Sequence, residues 1–434
     1  MTDYPDVLHR AAPGSAQNWQ QRYESSLMGV FGTPADLLVS GRGCWVTDSQ
    51  GRELLDMLGG IAVNALGHAH PALTAGLTEQ LQRMGHISNL FTSVPQMRLA
   101  EMLLAAAQAP EGSSVFFANS GSEANEAALK AVLRHRRSTG KTRILALEGG
   151  FHGRTSGALS LTHKPAFREP FGDLIPGVEF LPVNDGEALE RAFVADDVAG
   201  LFLEPIQGEA GVKPLQRDYL LAARELTRGS GALLVLDEVQ TGIGRTGEWF
   251  RFQGVQRGVT GASGGSADGE AADLTPDLMT LAKGLGSGFP IGALVAFGAQ
   301  HSALLGAGQH GSTFGGNPLA AVAGQITLET IEKEGLLPHV HQVGSRIAEG
   351  LRSMDAVSDV RQYGLHIGID LDPEAFSSQT PAKAVVVQAR EHHGLILNAT
   401  GDHTLRLAPP LILTAEEADL FLNRFQNSCK DLAS

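Results

Sequence analysis

At 434 residues the chain can bury a large core and divide into two or three lobes. Its 33 Lys+Arg against 47 Asp+Glu leave a formal charge of −14, which argues against wholesale binding to nucleic acid or to an acidic membrane. Cys44 and Cys429 are too few for a disulfide framework, the start MTDYPDVLHR carries acids where a secretory leader needs a basic and then an apolar run, and no stretch approaches the roughly 18 to 20 apolar residues of a membrane span, so the expectation is a soluble cytoplasmic protein.

Residues 1–71 mix polar segments with short strand-like pieces at 36–39 and 44–47, separated by glycines, and read as an N-terminal arm with a small-domain segment. From 72 to 330, short apolar runs at 115–118, 144–147, 200–203, 233–236 and 278–281 alternate with helical patterns at 122–137 and 218–228. Runs without alternation suit strands covered on both faces, so this stretch is expected to be a large α/β domain with a mainly parallel sheet. The Gly/Ser/Ala-rich segment 254–273 has no apolar period and is expected to be a mobile surface loop, with a lid role as the less favoured alternative.

Asn317-Pro318 supplies a helix cap followed by a first-turn proline, predicting a helix to about residue 334. Val340, Val343, Ile347 and Leu351 mark a further helix. Strand-like pieces at 365–371 and 395–398 follow, and Thr414 with Glu417 has the spacing of a capping box. Residues 331–434 are therefore expected to form a smaller α+β domain.

The stretch 232–247 runs an apolar strand into Asp237-Glu238 and a Gly-rich loop, which suits either a magnesium site beside a nucleotide or a carboxylate aimed at a cofactor ring. The nucleotide reading needs a G-x-x-x-x-G-K-[ST] loop. The nearest match, His135 to Thr142, lacks the first glycine and follows a helix instead of a strand. A different partner lies 283 − 237 = 46 residues on: Lys283 ends the run Leu278 to Leu281 and precedes a Gly-rich turn. Open α/β sheets bind ligands at the carboxyl edge of their strands, and a desolvated lysine is a usable amine. Pyridoxal 5'-phosphate needs this pair, a lysine for a Schiff base and an acid to keep the pyridine nitrogen protonated. Asn119-Ser-Gly121-Ser122, between a strand and a helix start, could receive its phosphate, although as an isolated feature it reads more readily as a helix cap.

These motifs, with Phe151-His-Gly-Arg154, Glu204-Pro-Ile-Gln-Gly-Glu209, Asp237-Glu-Val-Gln240 and His310-Gly-Ser-Thr-Phe-Gly-Gly-Asn-Pro318, together resemble class III pyridoxal-phosphate aminotransferases, in order from about residue 27 to 425. The resemblance implies the fold type I architecture of pyridoxal-phosphate-dependent transferases. Within the class, the stretches 59–68, 86–89 and 405–410 are most similar to the branch acting on acetylornithine. The ornithine, succinylornithine and 4-aminobutyrate branches share much of the pattern.

The resemblance makes Lys283 the Schiff-base lysine and Asp237 the partner of the ring nitrogen. It assigns Gly121 and Ser122 to the phosphate turn, Phe151 and Val239 to opposite faces of the ring, and Gln240 to its hydroxyl. Thr313 would reach the phosphate of the other subunit and Ser312 the substrate there, so a homodimer with shared sites is implied. Arg154 and Arg406 match carboxylate-holding arginines, and Glu209 an acid that pairs with Arg406 and releases it. Glu238 joins the cofactor shell by position, with loop shaping as its expected part. The implied activity moves the δ-amino group of N2-acetylornithine to 2-oxoglutarate. A non-catalytic cofactor-binding protein is the remote alternative.

Two attractions are declined: Gly67-His68-Ala-His70 lacks further spaced ligands for a metal, and His392-His393 reads as surface. One departure stands out. Relatives commonly read Arg-Gly-x-Gly-Leu where this chain has Arg361-Gln362-Tyr363-Gly364-Leu365.

Overall fold

The computed structural model describes residues 18–259 and 272–433. Seven strands form the central sheet: Ser114–Ala118 (β1), Arg143–Leu147 (β2), Val178–Leu181 (β3), Val198–Leu203 (β4), Leu233–Asp237 (β5), Leu278–Leu281 (β6) and Gly292–Ala296 (β7). Their order is β1-β7-β6-β5-β4-β2-β3, and β7 alone runs antiparallel to its neighbours. Every residue of β4, β5, β6 and β7 is buried, which is why their sequences are apolar throughout instead of alternating. The sequence reading misses β3 and β7. The first is a less buried edge strand interrupted by Glu179, and the second follows a glycine-rich stretch too closely to be set off by a turn.

Helix α1, Gly121–Thr139, covers one face of this sheet. Ala124, Ala127, Ala128, Ala131 and Val132 are all at most 1% exposed, and their small side chains let the helix approach Ile144, Phe202, Val235 and Leu294 closely. The opposite face packs into a larger apolar cluster.

Two small four-stranded sheets flank the central one. The first joins Leu38–Arg42, Trp45–Asp48 and Glu53–Asp56 to Leu395–Ile396, so sequence-distant ends of the chain share one sheet. The second has the order Val357–Tyr363, His366–Leu371, Thr404–Leu407, Asn398–Ala399. The run 395–398, legible as one strand, is thus split between two sheets. Helix caps behave as their residue types dictate: Asn317 accepts from the Ala320 N–H at 2.9 Å to start Pro318–Lys333, and Thr414 and Glu417 form a reciprocal capping box for Ala415–Lys430.

Of the segment 254–273, residues 260–271 lie outside the described residues. Its start is not a loop: Gly254, Val255 and Gln256 belong to the helix Arg251–Gln256, where Gly254 and Val255 are buried. Around the departure at 361–365, the buried Gln362 side chain donates to the Gly364 carbonyl at 2.9 Å and so braces its own turn. The Tyr363 ring lies under Arg251, 4.9 Å from its guanidinium carbon.

Candidate active site

Because β4, β5 and β6 are parallel and in register, Leu203 beside Leu236 and Asp237 beside Thr280, the residues that follow them emerge at one sheet edge. A cavity of about 330 Å³ opens there, lined by Asn119 to Ser122, Asn125, Phe151 to Gly153, Glu204, Asp237, Val239, Gln240, Ala282 and Lys283. Val63 and residues 288–291 complete the wall.

Lys283 opens a single 3₁₀ turn with φ at +42°, a left-handed conformation that a residue with a β-carbon adopts at a cost of about 1 kcal/mol or more. Burial holds its amine below the ordinary lysine value; Glu209 opposes this and Arg406 adds to it. The free amine, the nucleophilic form, is correspondingly more populated.

Asp237 is only 4% exposed and fully engaged. Its Oδ2 accepts from Asn125 Nδ2 at 2.8 Å and faces His152 Nδ1 at 2.7 Å, while Oδ1 accepts from the Val239 N–H at 3.0 Å. Asn125 is itself oriented by Thr280, whose hydroxyl donates to Oδ1 at 2.9 Å. Burial disfavours charge on His152, but the hydrogen bond and charge of Asp237 prevail and raise its pKa. Glu204 sits beside this pair, accepts from the Phe151 N–H at 2.8 Å, and is pushed up to about 7 by burial, which His152 partly offsets.

Helix α1 begins at the cavity with Ser120 as its cap; the Ser120 hydroxyl accepts from the Glu123 N–H at 3.1 Å. First-turn N–H groups of a helix have no partner inside it and favour an anion. Gly153 closes this end with φ at +137°, and a β-carbon there would sit 2.4 Å from Ser122 Oγ. An amine, a buried carboxylate, an aromatic ring at Phe151 and an anion-favouring helix start around one cavity therefore fit pyridoxal 5'-phosphate in size and chemistry.

Behind the lining residue Gln240, outside the cavity lining itself, Arg406, 1% exposed, donates through Nη1 to Glu209 at 2.5 Å and to Gln240 Oε1 at 3.1 Å, and through Nη2 to Asn398 at 2.9 Å. Burial works against the Glu209 charge, yet Arg406 holds its carboxyl below the ordinary value. Arg154 is exposed beside the cavity, its guanidinium carbon 3.4 Å from the Phe167 ring centroid and 5.6 Å from that of Phe151.

Not every expected residue reaches the cavity. Glu238 is turned away: its carboxylate accepts from the Arg251 and Phe252 N–H groups at 3.0 and 2.8 Å and from Thr241, holding the start of a helix. Its place in a cofactor shell is therefore corrected to loop shaping. Ser312 and the exposed Thr313 lie outside this chain's own cavity, with Ser312 Oγ accepting from Asn119 Nδ2 at 2.9 Å. Unassigned from sequence were Asn125, His152, Glu204, His366 and Asn398. A polar residue inside the alanine stripe of α1 and an acid directly after β4 were the available signals for Asn125 and Glu204.

Residues 33–428 match the family model for class-III aminotransferases. The acetylornithine aminotransferase of Mycolicibacterium smegmatis is 47% identical over 93% of this chain and 96% of its own length. That of Bifidobacterium longum is 43% identical over 95% and 96%. A solved ornithine aminotransferase from Toxoplasma gondii, described with partial occupancy of PLP at its active site, superposes with a TM-score of 0.87 at 27% identity, covering 99% of both chains.

Proposed function

The chain belongs to the class-III aminotransferase family and is a pyridoxal-phosphate-dependent aminotransferase, and from that premise we propose that it moves the δ-amino group of N2-acetylornithine to 2-oxoglutarate. The products are N-acetylglutamate 5-semialdehyde and glutamate, in arginine biosynthesis, which goes with a cytoplasmic location. Among the described residues, no helix is long and apolar enough to cross a membrane. The observation that carries the reading is a cavity lined by Lys283 and Asp237, with an arginine masked by an acid, Arg406 with Glu209, bonded to its lining residue Gln240.

When bound, pyridoxal 5'-phosphate supplies the electron sink and carries the amino group between the two half-reactions. Lys283 takes the proton from the amine-bearing carbon of the donor and returns it in the reverse sense for the acceptor. Asp237, pinned by Asn125 and His152, keeps a proton on the ring nitrogen. Phe151 and Val239 would hold the ring, and the first turn of α1 at Gly121 and Ser122 would take the phosphate. Arg154 binds one carboxylate of either substrate. Arg406 stays paired with Glu209 while the donor's amine arm reacts and turns to the second carboxylate of 2-oxoglutarate when that arrives, through a planar fork suited to it.

The working unit is a homodimer in which Ser312 and Thr313 serve the neighbouring site. Support comes from the apolar surface beside them, where Leu90 is 87%, Phe91 72%, Val94 71% and Phe314 58% exposed. These segments are joined, since Asn89 donates to the Ser312 carbonyl at 2.9 Å and the His86 and Phe314 rings lie 4.9 Å apart.

The test is steady-state kinetics with acetylornithine, succinylornithine, ornithine and 4-aminobutyrate, using 2-oxoglutarate as acceptor. Acetylornithine should show the highest kcat/KM, and a higher value for any other donor overturns the substrate assignment. Lys283→Ala should lose turnover and the visible band of the bound cofactor together; retention of both refutes the role of the lysine.

A further inference from the structure

His366 is completely buried at the start of its strand and has no part in the chemistry above. In the register of that sheet Gly368 stands opposite Arg406, and residues two apart share a face, so His366 and Arg406 lie on the same side. Its Nε2 is 3.0 Å from Gln240 Oε1, the oxygen that also faces Arg406 Nη1 at 3.1 Å.

Donor and acceptor identities follow from this geometry. A guanidinium only donates, so the Gln240 atom facing it is the carbonyl oxygen, and the amide nitrogen points to Glu209 at 3.4 Å. The imidazole nitrogen facing that oxygen must carry hydrogen, which defines the Nε2–H tautomer and leaves Nδ1 as a buried acceptor without a partner. Burial, reinforced by Arg406, Arg245 and Lys283, holds the ring well below the ordinary histidine value, so it is neutral. The amide has little room elsewhere, because a β-carbon on Gly208 would sit 2.0 Å from Gln240 Oε1.

Gln240 is therefore tied to two groups that must separate. Its oxygen holds Arg406, while its nitrogen is bonded to Glu209, which has to leave when a substrate carboxylate takes its place on Arg406. We infer that His366 is a positioning residue for the acceptor half-reaction: by donating Nε2–H to Gln240 Oε1, it keeps the amide on Arg406 when Glu209 departs. Asn398 holds the other arm of the guanidinium, so the arginine keeps its aim through the exchange. The inference rests on Arg406 as the carboxylate-binding arginine of the proposed function.

The experiment uses the holoenzyme with His366→Met, which lacks a donor, and His366→Gln, whose amide nitrogen reaches the place of Nε2. The two half-reactions are followed separately, and glutarate, a non-reacting dicarboxylate, is measured as an inhibitor. In His366→Met, kcat/KM for 2-oxoglutarate should fall about tenfold through KM, with glutarate affinity falling in parallel. The amino-donor half-reaction should change less than about twofold, and His366→Gln should recover most of the loss. Equal falls in both halves, no fall in either, or a Gln variant as poor as Met overturns the inference.

Imidazole ¹⁵N resonances of the unsubstituted protein, assigned by their loss in His366→Gln, judge it without turnover and independently of whether the Met variant folds. A neutral, Nε2-protonated ring from pH 6 to 8 is expected; a charged or Nδ1-protonated ring overturns the inference. A wild-type enzyme that ignores 2-oxoglutarate refutes the functional reading instead, while the ring's tautomer still decides the part of His366.

Discussion

Replacing Asp237 with Asn keeps the shape of the side chain and removes its charge from a site that is 4% exposed. The native carboxylate accepts three hydrogen bonds, from Asn125 Nδ2, His152 Nδ1 and the Val239 N–H. An amide has one oxygen, so its NH₂ must face one of these donors. The mismatch should cost about 1 to 3 kcal/mol of stability. The catalytic cost is larger. A carboxylate paired with a protonated ring nitrogen would be worth about 4 kcal/mol at an effective dielectric near 20, and losing it should lower kcat/KM by roughly three orders of magnitude. Stopped-flow half-reactions measure the second effect and thermal melting the first. A folded Asp237→Asn enzyme keeping more than about a tenth of wild-type kcat/KM would refute the argument that this charge holds the ring proton.

Glu204 makes a pH prediction. Its folded pKa, raised by burial from the ordinary carboxylate value to about 7, means that the native state holds a proton the unfolded chain has released. Its contribution to stability is therefore most favourable below about pH 4.5 and declines as pH rises to about 7. Glu204→Gln, which can still accept from the Phe151 N–H, should lose that decline, so that the wild-type-minus-mutant stability difference falls between about pH 4.5 and 7, and parallel curves would contradict it. Glu209→Ala leaves Arg406, 1% exposed, without a carboxylate, which should cost on the order of 3 kcal/mol and tighten glutarate inhibition about tenfold. Unchanged inhibition would mean that Glu209 does not mask the arginine. Phe91→Glu places a charge in the exposed apolar surface beside Thr313 and should shift sedimentation towards monomer with loss of activity; a wild-type protein that sediments as a monomer would end the shared-site reading.

Some of this architecture was legible because the physics is local. Buried parallel strands must be apolar on both faces, so β2, β4, β5 and β6 stood out as unbroken runs, as did the half-buried edge strand β1, and a charged residue ending such a run marks the sheet edge, as at Asp237 and Lys283. Caps are equally local: Asn317 and Thr414 bond N–H groups three residues away. The edge strand β3 was obscured by a polar residue, and the helix Arg251–Gln256 by the glycines that follow it.

The periodicity of burial and the helix caps are written in the chain locally, because they depend on residues within one turn or one strand. Only tertiary structure decided which polar groups meet. Asn125 and Asp237 are 112 residues apart, Gln240 and His366 126, and Glu209 and Arg406 197, and each pair is brought together by sheet order and register. Glu238 adjoins Asp237 in sequence, yet its carboxylate goes to Arg251 and Phe252, because consecutive side chains at a strand end point to opposite faces. The same alternation puts His366 and Arg406 on one side of their sheet. No spacing along the chain encodes that meeting; it follows from the pairing of Gly368 with Arg406.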